Sequence, residues 1–198
     1  CGTGRSTKLL ANDMYPEHLV IGVDRSLARL TKTKDNREGY DDSSSKDDDE
    51  TSAYCHRVSE NAYLLRAELV DFWRCCIEHG WTAPLYNASD QESDDSLKIT
   101  HHYMLYPNPY PTNARLSSRW YAHPSFPLIL KLGIQTMVLR SNWEGYLSEF
   151  AQAVELANEF YATTNSTDNL ALPYIDSAQK GPTERIDKSV ALTNFESK

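Results

Sequence analysis

Short apolar runs alternate with helical periodicity along this chain, and that alternation constrains the fold more than any other feature. Residues 18–23 (HLVIGV), 62–66 (AYLLR), 97–106 (LKITHHYMLY) and 134–139 (IQTMVL) read as strands, and residues 191–195 as a strand cut short. Helices are expected at residues 5–12, from Ser26 as N-cap through 34, at 69–78 ended by Gly80, and at 118–132 with a kink near Pro124 and Pro127. Residues 143–160 carry the strongest helical pattern, with Trp143, Tyr146, Leu147, Phe150, Val154 and Ala157 at three- and four-residue spacing. Strand–helix alternation of this kind predicts an α/β fold with a doubly wound, mostly parallel sheet, in a single domain over residues 1–198.

Composition narrows the function classes. No window approaches 18 consecutive apolar residues, so no membrane-spanning helix is expected. The net charge of −8 is concentrated: residues 35–50 hold eight acids and two bases, which leaves −2 for the rest of the chain. Residues 35–53 therefore read as a disordered acidic insertion, and the negative total does not exclude a nucleic-acid partner. Cys1, Cys55, Cys75 and Cys76 make no zinc-type spacing and read as reduced, mostly buried thiols. His101 and His102 are adjacent in a strand and so point to opposite faces, and no metal is expected. No secretory or transit signal is visible; the expected location is the cytoplasm, with an organelle as the alternative.

In a doubly wound sheet ligands sit beyond the carboxyl ends of the strands. Asp24, Glu68 and residues 107–111 fall at such ends. Gly2-Thr3-Gly4 opens a helix and lies twenty residues before Asp24, a pattern that serves dinucleotides and S-adenosylmethionine alike. Thr7 occupies the position where a dinucleotide fingerprint needs Gly or Ala, which counts against NAD. Glu68 has two readings, an acceptor for the exocyclic amine of adenine or a helix N-terminal acid. Tyr106-Pro107-Asn108-Pro109-Tyr110-Pro111 is the most specific segment: prolines remove backbone freedom around Asn108, and the tyrosines offer faces for a planar base.

Taken together, CGTGRST, HLVIGVDRS, YPNPYP, SNWEGYLSEFA and the terminal TNFE resemble the bacterial-type tRNA (guanine-N7)-methyltransferase family over nearly the whole chain outside the acidic insertion. The resemblance implies a Rossmann-like methyltransferase fold, S-adenosyl-L-methionine as methyl donor and tRNA as partner; the sequence leaves the oligomeric state open, with a monomer as the expectation. It implies that Gly2, Thr3 and Gly4 wrap the methionine part of the donor, with Asp24 and Arg25 at the ribose, Glu68 near the adenine and Asn108 beside the donor. Tyr110, Thr112, Arg115, Arg119 and Asn142 would face the RNA, and Thr193, Phe195 and Glu196 would shape the guanine pocket. Asn108 and Glu196 would then be the catalytic pair.

The departures are specific. Asn108 and Asn142 stand where the family has aspartates, Thr112 where it has a lysine, and Ser117 and Ser118 where bases are usual. Every cation missing from a phosphate-binding surface weakens RNA binding and flattens its salt dependence. Guanine N7 carries a lone pair and no proton, so its methylation needs alignment rather than a general base. Asn108 would position the reactants, while Glu196 would supply the charge that stabilises methylated guanine. The alternative is a non-catalytic relative that keeps the fold as a binding module. The resemblance also places the family's first strand before Cys1, so the chain reads as truncated at both ends, with that strand missing.

Overall fold

In the computed structural model, which describes residues 1–32, 53–81, 97–132 and 136–163, two compact units are built from the expected apolar runs, the first being Cys1–Asp71 and the second beginning at Phe72. Of the expected insertion at 35–53 only residue 53 is described, and the expected terminal strand at 191–195 lies outside the described residues.

In the first unit, α1 (Arg5–Leu9) runs on into a wider helical turn, Leu10–Met14, and leads to β1 (Val20–Asp24). Ser26 caps α2 (Leu27–Leu30), its hydroxyl oxygen accepting the Arg29 N–H at 3.4 Å, as the sequence implies. A strand that the apolar pattern does not announce, β2 (Cys55–Ser59), comes next, followed by β3 (Ala62–Arg66). β3 pairs in parallel with β1, in a register running from Val20↔Ala62 to Asp24↔Arg66. β2 pairs antiparallel with β3, so the sheet order is β1-β3-β2. Tyr54 and Leu64 are buried with Leu30, and Leu27 and Val58 pack against them.

In the second unit, which takes α3 (Leu69–Glu78) from Phe72 on, Trp73 and Cys76 are buried. Gly80, at φ +68°, ends α3 as expected, with Trp81 N–H donating to the Cys76 carbonyl at 2.9 Å. β4 (His101–Leu105) and β5 (Thr136–Arg140) form a parallel pair. α5 (Glu144–Thr163) buries Tyr146, Phe150 and Val154, the predicted stripe, and the rings of Tyr121, Phe126, Tyr146 and Phe150 meet edge to face or tilted.

Among the described residues the architecture is thus mixed α/β, with one parallel strand pair in each unit. Two expectations need correction. The helix expected over 118–132 is broken: two short 3₁₀ turns, Asn113–Ser118 and Trp120–Ala122, precede α4 (Phe126–Lys131). Pro124 forces His123 into an extended conformation (ψ 144°), and Arg119 is extended as well. The thiols are not mostly buried: Cys1, Cys55 and Cys75 are exposed, and only Cys76 is enclosed. Cys75 and Cys76 are neighbours on α3, about 100° apart around its axis, so only one faces inward. Among the described residues no helix is long and apolar enough to cross a membrane.

Candidate functional site

The glycine turn of the first unit is held against the end of β1 by Asp24. One carboxylate oxygen accepts the Gly2 N–H at 2.9 Å and the other the Ser26 N–H at 2.9 Å, while Arg29 approaches to 3.5 Å. Burial pushes the Asp24 carboxyl up, but the Ser26 amide, the Cys1 amino group, the Gly2 amide and Arg29 outweigh it and hold the group below the usual aspartate value. Asp24 is therefore an anion that aims the turn, with acceptor capacity beyond its two amide bonds.

The two glycines of this turn have different work. Gly4 is the N-cap of α1 at φ +80°, and a Cβ there would lie 2.6 Å from a methyl carbon of the fully buried Leu64. Its bareness lets α1 lie close on β3, a packing role. Among the described residues nothing lies within 4 Å of where a Cβ of Gly2 (φ +60°) would be, so they leave room in front of the turn. Gly4→Ala combines left-handed strain with overpacking and should cost about 2 kcal/mol, measured as a lower denaturant midpoint. Thr3 lies between them, half-buried. Arg25 is exposed, its carbonyl accepting from Arg66 Nε at 3.4 Å. Glu68 follows β3 at the same sheet edge, where Ala67 N–H donates to the Asp24 carbonyl at 3.3 Å. Its side chain is exposed and accepts the Val70 N–H at 3.5 Å, the behaviour of a helix N-terminal acid.

In the second unit the Pro-Asn-Pro loop leaves the carboxyl end of β4. Tyr106 (φ 52°) and Tyr110 (φ 43°) are both left-handed, and among the described residues they alone are so besides glycines. A bulky side chain at positive φ is strained and persists only where its surroundings hold it. Here Tyr106 N–H donates to the Arg140 carbonyl at 2.8 Å, and Tyr110 N–H donates to Asn108 Oδ1 at 3.2 Å. Asn108 is thus exposed at the tip of a loop whose shape its own amide helps to set. The Arg115 guanidinium lies 5.8 Å from the Tyr110 ring centre, and Thr112 is exposed. Asn142 is exposed in the turn after β5, where Trp143 N–H donates to Ser141 Oγ at 3.2 Å.

Arg119, expected to face RNA, is turned inward. It is 3% exposed; Nε donates to the Tyr110 carbonyl at 3.1 Å, and Nη1 donates to Tyr121 Oη at 2.7 Å and to Glu149 Oε2 at 2.6 Å. The guanidinium stands 4.8 Å from the Trp143 ring centre, and the Tyr121 hydroxyl also donates to Glu149. The hydrogen bond to Tyr121, outweighing burial and joined by the charge of Glu149, holds Arg119 above its ordinary value.

The structure therefore gathers Gly2, Asp24 and Glu68 at one parallel-strand edge, and Asn108, Tyr110 and Asn142 at another, in separate units. Thr193, Phe195 and Glu196 lie outside the described residues. Sequence reasoning missed Glu149, the anchor of Arg119; the two are thirty residues apart with no shared motif, so no local signal joins them. Among the described residues no group of three His, Cys, Asp or Glu side chains could hold a metal ion. The chain matches no family model, no curated protein and no solved structure.

Proposed function

We propose that this protein is an S-adenosyl-L-methionine-dependent methyltransferase that modifies guanine N7 in tRNA, as a cytoplasmic monomer on a doubly wound, Rossmann-like sheet. The observation that carries this reading is the loop at 106–110. Two strained tyrosines at a strand's carboxyl end hold an exposed amide in one place, which is what alignment of a base against a methyl group demands. The sequence resemblance supplies the chemical identity. The open space before Gly2 and the ionised Asp24 suit the donor's amino-acid and ribose parts.

The methyl donor contributes an electrophilic sulfonium methyl. When bound, that methyl would be taken by the guanine N7 lone pair as its C–S bond broke, with the positive charge passing from sulfur to the purine. No proton moves, so a neutral Asn108 suffices to orient the base, and Glu196 is the carboxylate assigned to the developing charge. In the first unit Asp24 and Gly2 would hold the donor, and in the second Tyr110 and Arg115 would offer a stacking face to the nucleotide.

Transfer of labelled methyl groups to total tRNA from cells lacking guanine-N7 methylation tests the proposal. Incorporation at a guanine, lost in Asn108→Ala, is the expected outcome. Absence of incorporation under saturating donor would reject it. The engagement of Asn108 Oδ1 with its own loop favours a second reading, a binding module without turnover. Calorimetric binding of the demethylated donor with no transfer, unchanged in Asn108→Asp, would mark that module.

A further inference from the structure

We propose that Arg119 is a positioning residue, a brace between two strand-end loops, and that Glu149 is the anchor that fixes it. The inference rests on the methyltransferase reading for its functional consequence, but its geometry stands within one unit. Nε of Arg119 holds the carbonyl of Tyr110, in the loop after β4. The same guanidinium stands over the Trp143 ring, 4.8 Å from its centre, next to Asn142 in the turn after β5. Nη1 is fastened to Glu149 Oε2 at 2.6 Å on α5, with Tyr121 Oη closing the triangle. A single planar group thus ties the two loops that present Asn108 and Asn142. Its polar contacts hold the backbone of a tyrosine whose positive φ costs energy to maintain.

Only a guanidinium meets all three demands. The fork supplies separate donors to a carbonyl and a carboxylate, and its weakly hydrated plane stacks on indole; a lysine ammonium offers one point charge. Arg119 is therefore spent inside the protein, and the phosphate-facing role that the resemblance implies passes to the exposed Arg115. The two roles make opposite predictions for Glu149. If Arg119 binds RNA phosphate, removing the neighbouring negative charge strengthens RNA binding. If Arg119 is a brace, the same change releases the Tyr110 loop and slows the reaction.

The test uses the full chain with Glu149→Gln, Arg119→Lys and Arg119→Met. For the brace, Glu149→Gln and Arg119→Lys each lower kcat about tenfold to a hundredfold through misalignment, with KM for tRNA and its salt slope unchanged. A phosphate role overturns the proposal if Arg119→Lys keeps full kcat, Glu149→Gln tightens RNA binding, and Arg119→Met lowers the salt slope by about 0.7–0.9. A spectroscopic arm separates this from failure of the methyltransferase reading. The Arg119 Nε–H resonance should be shifted by the Trp143 ring and protected from exchange, and Glu149→Gln should speed that exchange about tenfold. If the wild-type protein transfers no methyl group, the functional proposal falls and this arm alone decides. An Arg119 Nε–H that exchanges as freely as those of exposed arginines would overturn the brace.

Discussion

Replacing Asn61 with aspartate is expected to destabilise the first unit by about 3 kcal/mol, although the two side chains are nearly isosteric. Asn61 Nδ2 is ringed by four backbone carbonyls, those of Ala11 (3.3 Å), Tyr15 (2.9 Å), Pro16 (3.1 Å) and His18 (2.8 Å). An amide nitrogen has two hydrogens to share among them. A carboxylate oxygen in the same place has none, and its charge would face four oxygen lone pairs at hydrogen-bond distance. Asn61→Ala removes the donor without adding repulsion, and since the site is half-exposed, water replaces part of the loss, for a cost of about 1 kcal/mol. Urea unfolding of the three proteins checks the order. An aspartate variant as stable as the alanine variant would show that the ring of carbonyls does not depend on a donor.

The second large effect is on pH. Among the described residues His102 Nδ1 has no hydrogen-bond partner and is sealed from solvent, and the ring meets the edge of Trp73 at 5.7 Å. Burial pulls its pKa down to about 4 from the ordinary 6.5. Between those values the unfolded chain takes up a proton that the folded chain refuses. The unfolded state therefore binds more protons, and stability falls as pH drops through this window. The loss approaches about 3 kcal/mol by pH 4 and levels off below it. Above pH 6.5 both states are neutral and the effect vanishes. His102→Leu should flatten the profile between pH 6.5 and 4 in denaturant titrations. A variant that keeps the wild-type slope would assign that slope to other groups.

Legibility from sequence tracked how local each determinant is. β1 and β3 follow from short apolar runs, the buried face of α5 from side-chain period, and the stop of α3 from one glycine. β2 escaped because its outward positions, Cys55 and Arg57, interrupt the apolar pattern, although Tyr54, His56 and Val58 alternate toward the sheet. The broken backbone at 113–122 escaped for a different reason. Prolines marked a kink, but the extended Arg119 is held by partners at Tyr110 and Glu149, which no local window contains. Within the candidate site, the strand-end placement of Asp24 and Asn108 was readable. What their side chains hold was not, because hydrogen bonds to backbone amides depend on the folded turn.

The shared strand β3 has a consequence for the order of assembly. Its hairpin with β2 closes through a turn at Glu60 and Asn61, a local event on the scale of roughly 1–10 μs. Its parallel partner β1 must arrive from forty-two residues away, as the Val20↔Ala62 register requires, and such long-range closure is the slower kind. The hairpin turn that forms early also carries the amide that later gathers the carbonyls of Ala11, Tyr15, Pro16 and His18. The topology therefore predicts a templated order for the first unit: a fast hairpin offering a rail along β3 and a latch at Asn61, then a slower docking of β1 that closes both.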